Sequence, residues 1–414
     1  MNGALYDLPD DVLIYNISFL SVPDIIVLRQ TCQRFNALTR LPIVWTNAFK
    51  LNILANDYPF DAHDINPEHR TRHSYRLASR WLAESPLTPK SETIFIGSPV
   101  YQIKFIPGRK QKFLLTVPKG LWSALTIWDI TRQQKCSEWS WKDTILNGMT
   151  INADPESEAC VAVSSSQIIV LLHLNEAGTL HELLSIDIGL RAVTLTGDVI
   201  ALTDGISKTV IYNWKTDERA YLDDGGGSHH NRCYEVVFTP STILVVREHC
   251  IKLYTRPRLL HRQTLTPIAT YSFGWVAFVS APTPAPYNPL SVLIRSNDQS
   301  DNFRPLIKLY SFASFPPILT SNISSRPGTH RSAKVILGKR ATAVWIRAPE
   351  ENDDDCETLV AAVYPGPLNP TAEVRVRDVC SNPLKKNWNL FDYDEELGRI
   401  ALGLGSGKVT IVQL

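Results

Sequence analysis

Short β-rich stretches recur from about residue 91 to residue 414, and this repetition restricts the fold more than any other feature of the chain. Stretches such as 93–96 and 124–128 are rich in β-branched, leucine and aromatic residues, and turn-forming residues separate them, as is typical of strands joined by turns. They group into units that each end in an alternating strand. The units begin near residues 100, 149, 191, 234, 272, 335 and 391. Similar units in series predict a repeat architecture of small antiparallel sheets.

The unit length favours a closed ring of sheets. A propeller blade of four strands takes about 40–45 residues, and longer units contain insertions such as the proline-rich 281–289 and the acidic 350–355. A sandwich of this length would leave long strand edges, whereas a ring leaves only short, protected ones. We therefore predict an all-β propeller over residues 91–414. Seven blades are favoured over six or eight, and residues 93–96 are expected to pair beside the C-terminal strands and close the ring.

One unit resembles a WD repeat. Residues 125–129, Leu-Thr-Ile-Trp-Asp, are similar to the end of such a repeat, and residues 376–378 are a weaker match. The other units lack the Trp-Asp pair and the Gly-His pair that precedes it. The resemblance implies a degenerate WD-repeat-like propeller.

Residues 8–45 are predicted to be helical, and they carry more apolar surface than so short a segment can bury. The first helix has two apolar stripes on different faces. One stripe contains Leu13, Ile17 and Leu20, and the other contains Val12, Tyr15 and Phe19. Units of roughly 40 residues seldom sustain a core unaided. One stripe can pack on the following helices and the other needs a second surface, which predicts a docking module.

The same segment resembles an F-box over about residues 5–50. The submotifs follow in order: Leu-Pro-x-Asp-Val-Leu at 8–13, Phe-Leu at 19–20, Val-Pro-Asp-Ile at 22–25, Thr-Cys-Gln-Arg-Phe at 31–35, and Trp at 45. F-box proteins dock on the Skp-type adaptor of a cullin–RING ubiquitin ligase and present a substrate through a second domain. The resemblance implies adaptor contacts by Leu8, Pro9, Val12, Leu13, Ile17 and Leu20. It implies roles in both contact and internal packing for Ile25, Leu28 and Trp45.

The predicted organisation is α+β and multidomain: a helical module at 1–54, a linker at 55–90 and the propeller at 91–414. The linker is expected to contain a helix at about 68–84, with Ala78, Trp81 and Leu82 in an apolar stripe. Basic residues also repeat every four positions along this helix, namely Arg72, Arg76 and Arg80. They could bind nucleic acid or a phosphorylated partner, but a solvated helix face is the favoured interpretation.

Composition argues against several classes of protein. The chain has 42 basic and 41 acidic residues, a balance that is unusual for a general nucleic-acid or anionic-membrane binder. No apolar run approaches the roughly 18–20 residues that span a bilayer, and no secretion signal is expected. Seven cysteines without a Cys-x-x-Cys pair fit reduced thiols. We expect a cytoplasmic or nuclear protein.

No motif predicts catalysis. Residues 403–409 are glycine-rich, but their spacing and the apolar flanks favour a hairpin turn over a phosphate-binding loop. His229, His230 and Cys233 could ligate zinc, but a loop is favoured because a fourth ligand is not evident. The acidic run 350–355 is expected to be a solvated loop. Neither a cofactor nor a metal is expected.

The favoured function is a non-enzymatic substrate-recognition subunit of an SCF-type ubiquitin ligase, with the Skp-type adaptor and, through it, cullin as partners. The substrate would be a protein. Propeller receptors of this family often read phosphorylated motifs with arginines, and the candidates in this chain are Arg191, Arg232, Arg247 and Arg256. One alternative is a propeller scaffold that is not coupled to ubiquitination. Another is a propeller hydrolase with a central metal.

Overall fold

The computed structural model describes thirteen segments of the chain. They are residues 8–97, 99–108, 112–118, 123–141, 144–223, 231–257, 263–282, 289–296, 306–324, 334–347, 357–381, 388–404 and 406–414. A small helical module is followed by one longer helix and a ring of seven β-sheets. This arrangement confirms the predicted fold class.

Short helices build the N-terminal module. They are α1 (Asp10–Ile17), α2 (Val22–Leu28), α3 (Gln33–Leu38), α4 (Pro42–Phe49) and a π-helix at Lys50–Leu54. The Ser21 hydroxyl accepts a hydrogen bond from the backbone N–H of Asp24, which satisfies one free donor at the start of α2. Pro42 stands in the first turn of α4, where its missing N–H is no loss.

The core of the module is made by the helices themselves. Its buried residues are Leu13, Ile17, Val22, Ile25, Phe35, Leu38, Val44, Trp45 and Ala48. The indole nitrogen of Trp45 donates to the carbonyl of Thr39 at 2.8 Å, which pairs the one polar atom of this large buried side chain.

The linker helix, α5, runs over Pro67–Leu82, close to the predicted range of 68–84. The Asn66 side chain accepts from the N–H of His69 at 3.1 Å and caps the start of the helix. The buried face consists of Thr71, Ser74, Leu77, Ala78 and Trp81. In the described part of the chain, no helix is both long enough and apolar enough to span a membrane.

Seven sheets form the ring, each built on four antiparallel strands, and we number them as blades 1 to 7 in chain order. The strands of blades 1 and 2 are Val100–Phe105, Phe113–Pro118, Ser123–Asp129 and Gln134–Trp141, then Gly148–Ile151, Val161–Ser164, Ile168–Leu174 and Leu180–Asp187. Those of blades 3 and 4 are Arg191–Thr196, Val199–Thr203, Thr209–Asn213 and Glu218–Leu222, then Cys233–Phe238, Thr242–Arg247, Cys250–Thr255 and Ala269–Ser272.

Blades 5 to 7 complete the ring. Their strands are Val276–Ser280, Ser291–Ser296, Leu306–Ser311 and Ile318–Ser324, then Val335–Leu337, Thr342–Arg347, Thr358–Val363 and Arg375–Ser381, then Trp388–Asp394, Arg399–Leu404 and Lys408–Gln413. The fourth strand of blade 7 is Ser91–Ile96, which pairs antiparallel with Lys408–Gln413. The expected ring closure is therefore confirmed.

The first strands of the seven blades begin close to the predicted unit starts. Blades 1, 3 and 6 begin at Val100, Arg191 and Val335 as predicted. Blade 5 deviates most, because it begins at Val276 and not near 272. Residues 269–272 belong to the outermost strand of blade 4, so the prediction assigned the end of one blade to the start of the next.

Blade 3 has an additional strand at its outer edge. Gln263–Leu265, from the segment that leads to the last strand of blade 4, pairs parallel with Glu218–Leu222 at the outer edge of blade 3. This pairing covers an edge that would otherwise expose unpaired backbone groups.

The linker helix sits on one face of the propeller, at blades 6 and 7. Leu77, Ala78 and Trp81 share one buried cluster with strands of these two blades. The cluster also includes Leu87, from the segment after the helix. Leu77 lies against the turn at Gly398, which joins the first and second strands of blade 7. All first strands therefore begin at the opposite face, which carries no helix among the described residues.

Candidate functional site

The first helix presents one apolar stripe to the module and another to solvent. Leu13 and Ile17 are only 4% and 3% exposed, whereas Val12, Tyr15 and Phe19 are 37%, 64% and 63% exposed. The rings of Tyr15 and Phe19 meet edge to face, with their centroids 5.0 Å apart. Contiguous apolar surface of this kind marks a site that a partner can cover. The resemblance implied that Leu13, Ile17 and Leu20 are the outward anchors, but the structure packs Leu13 and Ile17 into the module and turns Val12, Tyr15 and Phe19 outward.

The nine residues predicted to act in adaptor binding lie at different depths. Pro9 and Val12 are exposed, Leu8, Leu20 and Leu28 are half-buried, and Leu13, Ile17, Ile25 and Trp45 are buried. A partner cannot reach the four buried side chains in this conformation, so they can act only by holding the exposed ones in place. Tyr15 and Phe19 were not among the predicted contacts, although their helical spacing had already placed them on the second stripe. Adaptor contact itself remains a prediction.

Further apolar residues extend the exposed surface of the module. They are Val27, Leu41, Ile43, Leu51 and Leu54. Asn52 of the π-helix donates to the carbonyl of Leu20 at 3.4 Å, so the π-helix lies beside the chain that leaves α1.

Arg34 fixes the segment that precedes α1. Its guanidinium donates to the Leu8 carbonyl at 2.6 Å and to the Asp10 carboxylate, also at 2.6 Å. A guanidinium that bridges two such groups is held in one orientation by charge-assisted hydrogen bonds. The Leu8-Pro9 segment is thereby tied to α3, in which Arg34 lies.

Ion pairs join the module to the linker helix. Arg29, at the end of α2, donates to both carboxylate oxygens of Glu68, at 2.9 and 3.0 Å. Burial alone would raise the pKa of the Glu68 carboxyl, but hydrogen bonds and charges from Arg29 and Arg72 lower it. The Thr71 hydroxyl donates to the carbonyl of Trp45 at 3.3 Å. The helical module and α5 are therefore connected by both polar and apolar contacts.

Arginines of the propeller hold the chain segments on either side of α5. Arg340, in the turn after the first strand of blade 6, donates to the Asp57 carbonyl at 2.9 Å and lies over the ring of Phe60 at 5.4 Å. Arg375 donates to the carbonyl of Leu82 at 2.8 Å. Arg377 donates to the carbonyls of Trp81 and Ala83, among others. These guanidiniums satisfy carbonyl groups that the end of α5 leaves without partners.

Charged residues of several blades meet in the centre of the propeller. Asp392 of blade 7 accepts hydrogen bonds from the Lys104 ammonium and from the N–H of Phe105, both at 2.9 Å. The Lys334 ammonium lies 3.5 Å from the same carboxylate. Burial and the charge of Lys104 lower the pKa of Lys334 to about 7. The Asp392 carboxylate thus connects the first strands of blades 1 and 7 with the residue that precedes the first strand of blade 6.

Glu235 of blade 4 faces the same region. It accepts a hydrogen bond from the Thr194 hydroxyl at 3.0 Å. Burial raises the pKa of the Glu235 carboxyl to about 7, although the Thr194 hydrogen bond and the Lys104 charge oppose the change. This carboxyl therefore titrates near neutral pH.

The four candidate arginines for substrate binding differ in position and in burial. Arg191 and Arg232 lie at the face where first strands begin. Burial and the charge of Arg232 lower the pKa of Arg191. Arg247 is fully buried and donates to the carbonyls of Asn231 and Ser207. Arg256 donates to the Thr239 carbonyl, at the opposite end of blade 4. Only Arg191 and Arg232 are placed to meet a ligand at this face.

The candidates for chemistry do not form a reactive site among the described residues. Residues 403 and 408 lie in adjacent antiparallel strands of blade 7, as the hairpin interpretation predicted. His229, His230 and the acidic run 350–355 lie outside the described residues. Cys233 is buried, and burial raises the pKa of its thiol to about 11, which is unfavourable for a thiolate metal ligand. The described residues contain no cluster of three or more His, Cys, Asp or Glu side chains that could hold a metal.

Comparison with known proteins agrees with the geometry of the N-terminal module. Residues 5–50 match the family model described as F-box-like. No curated protein matches the chain. The propeller is compatible with degenerate WD repeats, although the comparison leaves its repeat family open. The chain therefore carries an F-box-like domain at residues 5–50, followed by a seven-bladed β-propeller.

Proposed function

We propose that this protein is a substrate-recognition subunit of an SCF-type cullin–RING ubiquitin ligase. The F-box-like domain would dock on the Skp-type adaptor and through it on cullin, and the propeller would bind the substrate. The single observation that carries the proposal is the outward stripe of Val12, Tyr15 and Phe19. The stripe is apolar and exposed, and it lies in the domain whose family docks on such adaptors.

The proposed role is non-catalytic. The rate of ubiquitin transfer would rise because the receptor holds its substrate near a charged ubiquitin carrier, which is a proximity effect. The contacts of α5 with both domains support this role. Contacts from Arg29, Arg375 and Arg377 fix the linker helix to both domains, and Arg340 holds Asp57 in the segment before it. The position of the propeller relative to the F-box-like domain is therefore defined.

Substrate would bind at the propeller face opposite the F-box-like domain. That face presents exposed Tyr101, Trp275 and Arg232, together with half-buried Arg191. Tyr, Trp and Arg are the residue types that most often dominate interface energies. Two arginines without a described carboxylate partner favour an anionic group on the substrate, such as a phosphorylated side chain.

Adaptor binding tests the proposal directly. The full chain should bind a recombinant Skp-type adaptor, and Tyr15→Ser combined with Phe19→Ser should weaken that binding by at least ~2 kcal/mol, as expected when central aromatic anchors are removed. The matched control is Ile318→Ser combined with Leu319→Ser in the outer strand of blade 5. These side chains are 55% and 47% exposed, and their replacement should leave the affinity unchanged. No binding by the unaltered chain, or equal losses in both variants, would refute the proposal.

The alternative is a propeller scaffold whose helical module binds another partner without any link to ubiquitin. The same exposed aromatic residues support a docking function of either kind. Affinity purification followed by mass spectrometry separates the two. Recovery of both adaptor and cullin peptides favours the ligase subunit, and recovery of other partners without them favours the scaffold.

A further inference from the structure

The C-terminal half of the linker helix carries a group of cations that lie close together. Arg76 and Arg80 are one helical turn apart on the same face. The Arg80 guanidinium donates to the Thr88 carbonyl, which holds the following segment beside the helix and brings Lys90 near. Burial and the charges of Arg80 and Arg76 lower the pKa of the Lys90 ammonium. We refer to Arg76, Arg80 and Lys90 as the basic cluster.

The basic cluster has no acidic partner in the described part of the chain. None of its nitrogens lies within 4.0 Å of a described carboxylate. Arg72, one turn earlier on the same helix, contrasts with it because it pairs with Glu68 at 3.0 Å. Some other exposed cations do pair with carboxylates, such as Lys215 with Asp198 at 3.0 Å. The chain as a whole has 42 basic and 41 acidic residues, so the basic cluster is a local excess of positive charge beside α5.

Neighbouring guanidiniums add to the positive charge. Arg375 and Arg377 project from the outer strand of blade 6 and donate to carbonyls at the end of α5. Burial and the charges of Arg375 and Arg80 lower the pKa of Arg377 to about 10. These two arginines already satisfy the carbonyl end of the helix. The charges of exposed Arg76 and Lys90 are therefore not needed there and stay available to a ligand, while Arg80 adds its positive charge from beneath them.

We propose that Arg76, Arg80 and Lys90 form a docking site for an acidic peptide segment, a run of Asp or Glu residues in a partner protein. The surface of the helix supplies geometry as well as charge. Arg76 and Lys90 are exposed, and Arg80 is half-buried between them and the propeller. Carboxylates can accept hydrogen bonds from both types of cation, and guanidinium pairs with carboxylate in a bidentate manner.

A peptide fits this site better than a nucleic acid does. A nucleic-acid interface typically neutralises a longer row of phosphates, whereas the basic cluster extends over one helical turn and the adjoining strand. Single-stranded nucleic acids also use exposed aromatic rings for stacking. The nearest indole, that of Trp81, is fully buried and cannot serve in this way.

Fluorescence anisotropy with a labelled oligo-glutamate peptide and the full chain tests the site. We expect binding at low salt that weakens as the screening length falls from ~10 Å at 0.1 M to ~3 Å at 1 M salt. Arg76→Glu combined with Lys90→Glu should weaken peptide binding by about tenfold or more, which corresponds to ~1.4 kcal/mol. Arg80 is left unchanged because its guanidinium supports the fold.

The control variant is Lys208→Glu combined with Lys215→Glu in blade 3, which changes the net charge by the same amount. It should bind the peptide as the unaltered chain does. The Arg76→Glu, Lys90→Glu variant should retain its melting temperature and its adaptor binding, and it should gain affinity for an oligo-lysine peptide. Equal effects of the two variants, or preferential binding of duplex DNA over oligo-glutamate at the same salt concentration, would overturn the inference.

Discussion

The guanidinium of Arg377 lies 5.7 Å from the ring centroid of Trp81 and donates a 3.0 Å hydrogen bond to the carbonyl of the same residue. Arg377 belongs to the outer strand of blade 6, and Trp81 belongs to the last turn of the linker helix. One side chain of the propeller thus stacks on the buried anchor of the helix and also pairs its backbone. The orientation of the two domains depends on contacts of this kind.

Arg377→Ala should destabilise the folded chain by about 1–3 kcal/mol, because it leaves several partly buried carbonyls at the end of α5 without a donor. Urea denaturation followed by circular dichroism measures the effect. Arg347→Ala is the matched control. Arg347 pairs with exposed Asp378 at 3.0 Å, and loss of a surface ion pair should cost less than ~1 kcal/mol. Equal losses in the two variants would contradict the capping role of Arg377.

Sequence reasoning succeeded where the signal was local. The starts of blades 1, 3 and 6 were predicted from short β-rich stretches separated by turn residues, and those patterns depend on a few neighbouring positions. The start of blade 5 was misplaced because Tyr271 and Phe273 give the end of blade 4 the same aromatic and apolar character as an inner strand. Only the pairing of residues 269–272 with 250–253 separates the two blades.

Sequence reasoning was incomplete where contacts are long-range. Helical periodicity identified two stripes on α1, but the inward stripe is determined by the position of α4 and its Trp45. Arg247 was a candidate ligand-binding residue by type alone. Its burial depends on Ser207 and Thr209, which are about forty residues away. Such a contact leaves no local pattern in the sequence.

The two stripes of α1 should respond differently to truncation. Leu13→Ala removes a buried side chain from the core of the module and should cost about 2–5 kcal/mol. Phe19→Ala removes an exposed side chain and should change the free energy of unfolding by less than ~0.5 kcal/mol. Urea denaturation of both variants measures the difference. A large loss for Phe19→Ala would mean that the outward stripe supports the fold and is not a free surface.

Gly398→Ala should weaken the contact between blade 7 and the linker helix. Gly398 has a φ of +64°, and a Cβ atom at this position would lie 2.5 Å from a methyl carbon of Leu77. Backbone strain and overpacking should each contribute, with a combined loss of roughly 2–4 kcal/mol. Gly205→Ala separates the two effects. Gly205 has a φ of +79° with no atom within 4 Å of the added methyl group, so it should lose only the backbone part, about 1 kcal/mol. Comparable losses in thermal melts of the two variants would show that the Leu77 side chain moves away from the added methyl group without a loss of stability.

Glu235 should make the stability of the propeller depend on pH between about 4.5 and 7. Burial raises the pKa of this carboxyl from its ordinary value of 4.5 to about 7 in the folded chain. Its contribution to stability is therefore most favourable below pH 4.5 and is lost as the pH rises through 7, since the unfolded chain then releases the proton more readily than the folded chain. Glu235→Gln keeps a neutral group that can still accept the Thr194 hydrogen bond. The variant should melt at the same temperature as the unaltered chain near pH 4.5 and at a higher temperature at pH 8.

Glu182→Gln is the control. Glu182 lies on the exposed outer strand of blade 2, and its replacement removes the same charge. This variant should show the same difference in melting temperature between pH 4.5 and pH 8 as the unaltered chain. A constant offset of Glu235→Gln across this range would show that folding leaves the pKa of this carboxyl near its ordinary value.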